Sequence, residues 1–472
     1  MKIREMAGNA LAAFASQGFS FLLSILTSLL VPKVLGVQEF GYWQLFLFYS
    51  SYTGFFSLGI SDGMYLIEGG KSRTEINKRK VNSAFWFGIA YEIPLAAAIV
   101  IGCSLAGFEE QRQFVIVAAA IFELVSFAWS TLGYVFQAMN ETKLYSFAIV
   151  VNKFAFLVPL AALLLVRCGD FRPFVVFYIF SNCCSLAYCV WKGRDILAAG
   201  LCSPGETVRN GLGYIRVGIK LMLANVASML ILGFARFLID AEWGIETFGE
   251  LSFSLSMVNF FLAFVSQASM VLFPALRQST GEERFKVYSL MREALTITLP
   301  AVYLLCFPII WIIGLWLPQY GDSLHYFVYL LPLCVFEGKM DLLGTTFFKV
   351  LREESTLLKV NIVTALLSLV GSLIGVYIIR SVDFVICSVV LSLGLRSLVS
   401  EILIAQKMND TNSLLSIGEI VVSLCFVMAG SLLPAVPATI CYALVYVMFL
   451  MVFKESTRST VSSISKIGNS LR

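Results

Sequence analysis

Apolar runs of about 20 residues, parted by short polar links, recur along the whole chain. A helix of that length crosses the hydrocarbon of a bilayer and satisfies its own backbone hydrogen bonds there, which an open strand cannot do. The composition agrees: 58% of the 472 residues are hydrophobic, only 14% are charged, and the mean hydropathy is +0.84. Such a chain is an integral membrane protein. The run after Met1-Lys2-Ile3-Arg4 continues to Pro32, too long for the core of a signal peptide, and reads as an uncleaved first span.

The predicted fold is an all-α polytopic membrane protein with about fourteen transmembrane helices. The runs are 9–33, 41–61, 82–105, 114–138, 145–167, 173–191, 218–240, 249–273, 294–316, 326–348, 356–379, 384–405, 415–433 and 437–453. They group as an N-terminal six-helix bundle over 1–192, a cytoplasmic linker over 193–217, a C-terminal six-helix bundle over 218–405, two further helices over 406–453, and a tail over 454–472. Within the linker, Ile196, Leu197 and Leu201 suggest a short interfacial helix. Most basic residues fall on alternate links: Lys71, Arg73, Lys78, Arg79 and Lys80, then Lys192, Arg194, Arg209 and Arg216, then Arg277, Arg284 and Lys286, then Lys349 and Arg352. By the positive-inside rule these links and both termini are cytoplasmic.

A duplication supports the two bundles. Gly36-Val37-Gln38-Glu39-Phe40-Gly41 returns as Gly244-Ile245-Glu246-Thr247-Phe248-Gly249, about half the chain later, each time between two apolar runs. Phe122-Glu123 and Leu132-Gly133 are echoed by Phe336-Glu337 and Leu343-Gly344. Paired halves are a recurrent plan among transporters, with the substrate path between them.

Several chemistries are excluded or weakened. The basic residues form no run dense enough to follow a nucleic-acid backbone. Gly69-Gly70-Lys71-Ser72 imitates the end of a phosphate-binding loop, but Tyr65 stands where its first glycine belongs. The chain has 11 cysteines and a single histidine, His325; no C-x-x-C pair occurs, so the cysteines read as small buried hydrophobes, with no metal or other cofactor expected. Tyr42-Trp43, Trp311, Trp316 and Tyr320 lie near predicted span ends and read as interfacial anchors.

Ionisable residues inside spans carry the functional signal. Each costs about 2.5–3.5 kcal/mol to insert, so it faces protein or water. The cations are Lys153, Arg236, Lys339 and Arg396, candidates for an anionic substrate group. The anions Asp341, Glu337, Glu123 and Glu92 are candidates for a coupling cation, H+ or Na+. Glu337 and Asp341 are four apart and share a helix face from which Lys339 points away. Interhelical ion pairs such as Lys153 with Glu123, or Arg396 with Glu401, are the competing reading. Arg236 and Arg396 can also snorkel to an interface. Glu92 precedes Pro94, where a kink with a polar partner is the alternative to a site.

The ordered set Val34-Leu35-Gly36-Val37-Gln38-Glu39-Phe40-Gly41-Tyr42, its echo at 244–249, Ser57-Leu58-Gly59-Ile60, Gln137-Ala138-Met139-Asn140-Glu141-Thr142-Lys143-Leu144-Tyr145 and Phe273-Pro274-Ala275-Leu276 resembles the Wzx-type polysaccharide (O-antigen) flippases of the multidrug/oligosaccharidyl-lipid/polysaccharide (MOP) exporter superfamily. The resemblance covers about residues 5–405, and the last two spans fit the family's fourteen-helix form. One departure stands out. Many relatives carry an acid before the arginine late in the seventh helix, where this chain has Ala235-Arg236.

The resemblance implies a flippase of the bacterial inner membrane. It would move undecaprenyl-diphosphate-linked oligosaccharide repeat units from the cytoplasmic to the periplasmic leaflet, for O-antigen or capsule synthesis, by alternating access. Implied partners are the lipid-linked oligosaccharide, the bilayer, a polysaccharide polymerase and a chain-length regulator. Two rivals are a cation-coupled multidrug or small-molecule exporter of the same superfamily and a membrane-bound enzyme of polysaccharide assembly. The first would want a more acidic cavity, and the second a large polar loop that the chain lacks.

Overall fold

The computed structural model describes residues 23, 27–278, 281–408, 414–458 and 460. Most of the predicted first span, 9–33, and most of the tail lie outside them. The described residues are helical, with no strand among them. Among the described residues ten segments are long and apolar enough to cross a membrane, and the chain is an all-α polytopic membrane protein.

Residues 1–226 form one compact unit and 227–472 a second. In unit 1, α1 (Val37–Ser51), a single turn (Thr53–Phe56) and α2 (Ile60–Glu68) replace the single predicted span 41–61. The break falls where Leu58 and Gly59 take left-handed backbone angles, φ 49° and 79°. Four long helices follow: α3 (Lys78–Ala106), α4 (Glu110–Ala138), α5 (Thr142–Val166) and α6 (Arg172–Lys192), each within a few residues of its predicted span. The short α7 (Arg194–Leu197) forms where expected and packs on the unit: Ile196 is buried in a core with Ile60, Phe85, Leu132, Phe136 and Tyr214, while Leu201 beyond it is exposed.

The predicted spans 218–240 and 249–273 are one helix, α8 (Pro204–Gln278), kinked only at Gly244, where φ is 82° and ψ −176°. It begins earlier than the apolar run because Ser203-Pro204-Gly205-Glu206 is a capping box. The Glu206 amide donates to Ser203 Oγ at 3.4 Å, and the Ser203 amide donates back to Glu206 Oε2 at 3.2 Å. Proline at the first helical position needs no N–H.

The first turns of α8 lie against α2 at backbone distance. A methyl on Gly63 would stand 2.0 Å from the Tyr214 carbonyl oxygen, and one on Gly218 would stand 2.0 Å from that of Gly59. Glycines let the two backbones touch, a common device where helices pack in lipid. Tyr214 then donates to buried Glu68 Oε1 at 2.6 Å.

The interior of unit 1 is aromatic. Trp43 stacks on Phe46 at 6.0 Å and on Phe156 at 6.1 Å, and meets Tyr178 edge-on at 5.7 Å. Tyr42 is buried as well, stacked on Phe171 at 5.2 Å. In unit 2, Tyr320 is buried against Phe253 at 4.4 Å. The reading of Tyr42, Trp43 and Tyr320 as interfacial anchors is therefore corrected; Trp311 and Trp316 are exposed.

Unit 2 continues with α9 (Gly281–Thr298), a 3-10 stretch (Leu299–Leu305) and α10 (Cys306–Trp316). The predicted span 326–348 is broken into α11 (Leu324–Leu330), α12 (Pro332–Lys339), a π-helical stretch (Met340–Thr345) and α13 (Thr346–Val350). Pro332 starts a helix because it cannot continue one. Next come α14 (Glu354–Ile374), with a π-helical end (Gly375–Ile379), and α15 (Val382–Met408). The last pair, α16 (Leu414–Leu432) and α17 (Ala435–Val452), is bonded into the unit. Pro300 has no N–H to offer the Ile297 carbonyl, and Tyr446 donates to that carbonyl at 2.8 Å; Tyr442 donates to the Pro300 carbonyl at 2.7 Å.

Candidate functional site

Among the described residues, buried ionisable side chains gather within the spans of each unit. In unit 2, Lys339 closes α12 where the helix widens into its π stretch. Its Nζ donates to Glu419 Oε2 of α16 at 2.6 Å and lies 2.6 Å from Glu401 Oε2 of α15. The three side chains are 2%, 3% and 5% exposed. Arg292 of α9, also buried, brings Nε within 3.4 Å of Glu401 Oε1, and Ser416 donates to that same oxygen. Two cations thus face two carboxylates, and the cluster is electrically balanced. A lone charge there would be strongly disfavoured; as a balanced set the four are tolerated.

Lys339 does point away from Glu337, as the helical spacing requires. Glu337 instead accepts from Arg396 Nη2 of α15 at 2.5 Å, while Arg396 Nη1 donates to Ser228 Oγ at 3.1 Å. Arg396 is buried, so it does not snorkel, and its partner is Glu337 rather than Glu401. Asp341 lies in the π stretch, half-buried, with its backbone carbonyl accepting from Thr346 Oγ1 at 2.8 Å. Arg236 of α8 donates to Ser252 Oγ at 2.9 Å and lies 4.9 Å over the Phe248 ring, inside the second copy of the duplicated stretch.

In unit 1, Glu92 of α3 and Glu123 of α4 are 0% and 4% exposed, and their carboxyl groups face one another. Tyr91 and Thr53 border the pair, and the Tyr91 hydroxyl also donates to the Phe56 carbonyl at 2.9 Å. Glu123 therefore meets an acid and not Lys153, and Pro94 sits inside an unbroken α3. Two neighbouring carboxyl groups with so little water can hold a shared proton or a small cation, because two like charges in a dry site disfavour one another. Lys153, on α5, is half-buried and has neither hydrogen-bond nor ion-pair partner among the described residues.

Sequence reasoning passed over Arg292, which stands just ahead of the apolar run that starts at 294 and reads there as part of a polar link. It also passed over Glu68, which is buried and paired with Lys71 at 2.7 Å. Counting charges in the first turn before each apolar run would have found Arg292.

No protein-family model matches the chain, and no curated protein matches it in sequence. Solved structures do match in fold. The lipid II flippase MurJ, in an inward closed conformation, aligns with a TM-score of 0.66 at 11% identity, covering 95% of this chain and 98% of that one. An inward-facing multidrug resistance MATE family transporter of the MOP superfamily aligns with 0.60 at 14% identity, covering 85% of this chain and 98% of that one. A MOP superfamily transporter from Pyrococcus furiosus, described as having a binding pocket of reverse polarity that suggests a different function, aligns with 0.52 at 13% identity, covering 86% and 95%. The chain shares the fold of these solved structures.

Proposed function

We propose that the chain is a flippase for undecaprenyl-diphosphate-linked oligosaccharide repeat units, moving them between the leaflets of the bacterial inner membrane by alternating access, for surface polysaccharide synthesis. The observation that carries this reading is Lys153: a cation in the middle of a spanning helix, half-buried and with no carboxylate partner among the described residues. An uncompensated ammonium in a span is expensive unless it meets water or an anion. A diphosphate headgroup is such an anion, while the lipid tail it carries stays in hydrocarbon. Arg236, on a helix that opens the second half of the duplicated pattern, is the second candidate for that headgroup. Lys339 and Arg396 serve differently, each neutralising acids inside unit 2. The fold shared with a lipid II flippase supports a lipid-linked substrate.

Glu92 and Glu123 favour a second reading, a cation-coupled exporter of small molecules. In the first reading the same carboxyl pair carries the coupling ion. The two separate in cells. Deleting the gene in its own host and restoring it as Lys153→Gln with Arg236→Gln is expected to leave lipid-linked repeat units accumulated. Surface polysaccharide should fall by about tenfold or more, the loss of a charged hydrogen bond. Wild-type levels of polysaccharide in that double variant, with membrane insertion confirmed, remove both residues from the mechanism. Unchanged polysaccharide in the deletion strain, with altered drug tolerance, supports the exporter.

A further inference from the structure

At one end of unit 1, the start of α5 and the end of α6 lie side by side. The Phe147 ring is 5.0 Å from Tyr188, and Tyr188 is 6.3 Å from Trp191. Lys143 lies one turn before Phe147 on α5, and Lys192 one turn beyond Tyr188 on α6, so both cations flank the same aromatic seam. Lys192 Nζ stands 4.0 Å over the Trp191 ring, and Arg194 follows on α7. Phe147 and Trp191 are 52% and 59% exposed.

The nearby acids are already engaged. Glu141 is 3.1 Å from Arg73, and Asp195 is 3.2 Å from Arg73 and 2.7 Å from Lys78. Among the described residues no carboxylate pairs with Lys143, Lys192 or Arg194. Three cations are therefore left over at a place where the outward side chains just along the helices, Phe154 on α5 and Phe180 on α6, are large, apolar and exposed.

We infer that this seam is a binding site for an anionic phospholipid: its headgroup phosphate is held by Lys143, Lys192 and Arg194, and its acyl chains lie along Phe154 and Phe180. The chemistry is that of an interfacial lipid site. Tryptophan holds the headgroup level, and basic side chains beside a spanning helix attract anionic headgroups. A free phosphate would gain the cations but not the apolar rows, so the lipid is the better occupant. The site is separate from the span cations and holds whatever the chain translocates.

Tryptophan quenching tests this. The full chain is reconstituted in phosphatidylcholine containing a minority of either brominated phosphatidylglycerol or brominated phosphatidylcholine, and the Trp191 contribution is isolated by comparison with Trp191→Phe. Quenching of Trp191 by the anionic brominated lipid should exceed that by the neutral one roughly threefold. Lys143→Gln with Lys192→Gln and Arg194→Gln should bring the two to parity. Equal quenching in the wild type, or an excess that survives in the triple variant, overturns the site. Should the triple variant fail to insert, ionic strength decides on the wild type: the excess must fall as salt screens the headgroup contact, and an excess indifferent to salt overturns the site equally. Inorganic phosphate should not displace the lipid; displacement would make a soluble phosphate the ligand and overturn the lipid assignment.

Discussion

Lys339→Met alone is expected to unfold unit 2 more readily by about 3–5 kcal/mol, the cost of stranding buried charge by removing its partner. Two carboxylates converge on that one ammonium, and Arg292 lies 3.4 Å from Glu401. Adding Glu419→Leu to Lys339→Met removes the second stranded charge and leaves Glu401 with Arg292 and Ser416. The double variant should therefore regain most of the lost stability, since apolar replacement of a whole buried pair is often neutral. Thermal unfolding in detergent measures both. A double variant no more stable than the single one refutes the pairing of Lys339 with Glu419. The folded double variant also separates structure from transport. If Lys339 only balances charge, it supports surface polysaccharide; if Lys339 meets substrate, it is stable and inactive.

The second large effect lies where α2 crosses the start of α8. Gly63→Ala is expected to cost about 3 kcal/mol, the upper end for overpacking, because the added methyl meets the Tyr214 backbone at 2.0 Å and no side chain can move aside. Gly218→Ala should behave alike, since its methyl meets the Gly59 carbonyl oxygen at 2.0 Å. Gly213→Ala, on the same helix, meets nothing within 4 Å. It should stabilise by up to about 1 kcal/mol through helix propensity. Equal unfolding temperatures for Gly63→Ala and Gly213→Ala would mean that the two backbones do not touch.

That crossing shows what the sequence made legible. Gly59-Ile60-Ser61-Asp62-Gly63 carries the small-residue spacing of a close helix contact, but hydropathy alone reads 57–60 as the end of a span. Likewise Ser203-Pro204-Gly205-Glu206 spells a capping box, yet a search for apolar runs places it in a link. Spans with a single uninterrupted run, such as α4, α5 and α15, are readable to within a few residues because length and hydropathy alone decide them. The break at Pro332 is hidden because Leu330, Leu331 and Leu333 around it are apolar, and the π stretch because Lys339 and Asp341 read as isolated charges within one run.

Burial depth is the other missing dimension. Tyr42 and Trp43 sit near a span end whether they face headgroups or the aromatic interior, and only packing decides. Charge pairing is missing for a similar reason. Helical spacing separates Lys339 from Glu337, but the partners of each, Glu401, Glu419 and Arg396, come from helices distant in sequence. The echo of Phe122-Glu123 in Phe336-Glu337 illustrates it: Glu123 faces another acid, Glu337 an arginine.

The central claim is that this chain carries a lipid-linked diphosphate sugar across the bilayer, with Lys153 and Arg236 meeting its headgroup. Purified protein in liposomes bearing a fluorescent polyprenyl-diphosphate oligosaccharide in one leaflet tests it, with a membrane-impermeant reductant reporting the leaflet reached. Wild type should move the lipid to the other leaflet, and Lys153→Gln with Arg236→Gln should slow it by about tenfold or more. A wild-type protein that leaves the lipid where it started, yet exchanges small organic cations across the same vesicles, would contradict the claim.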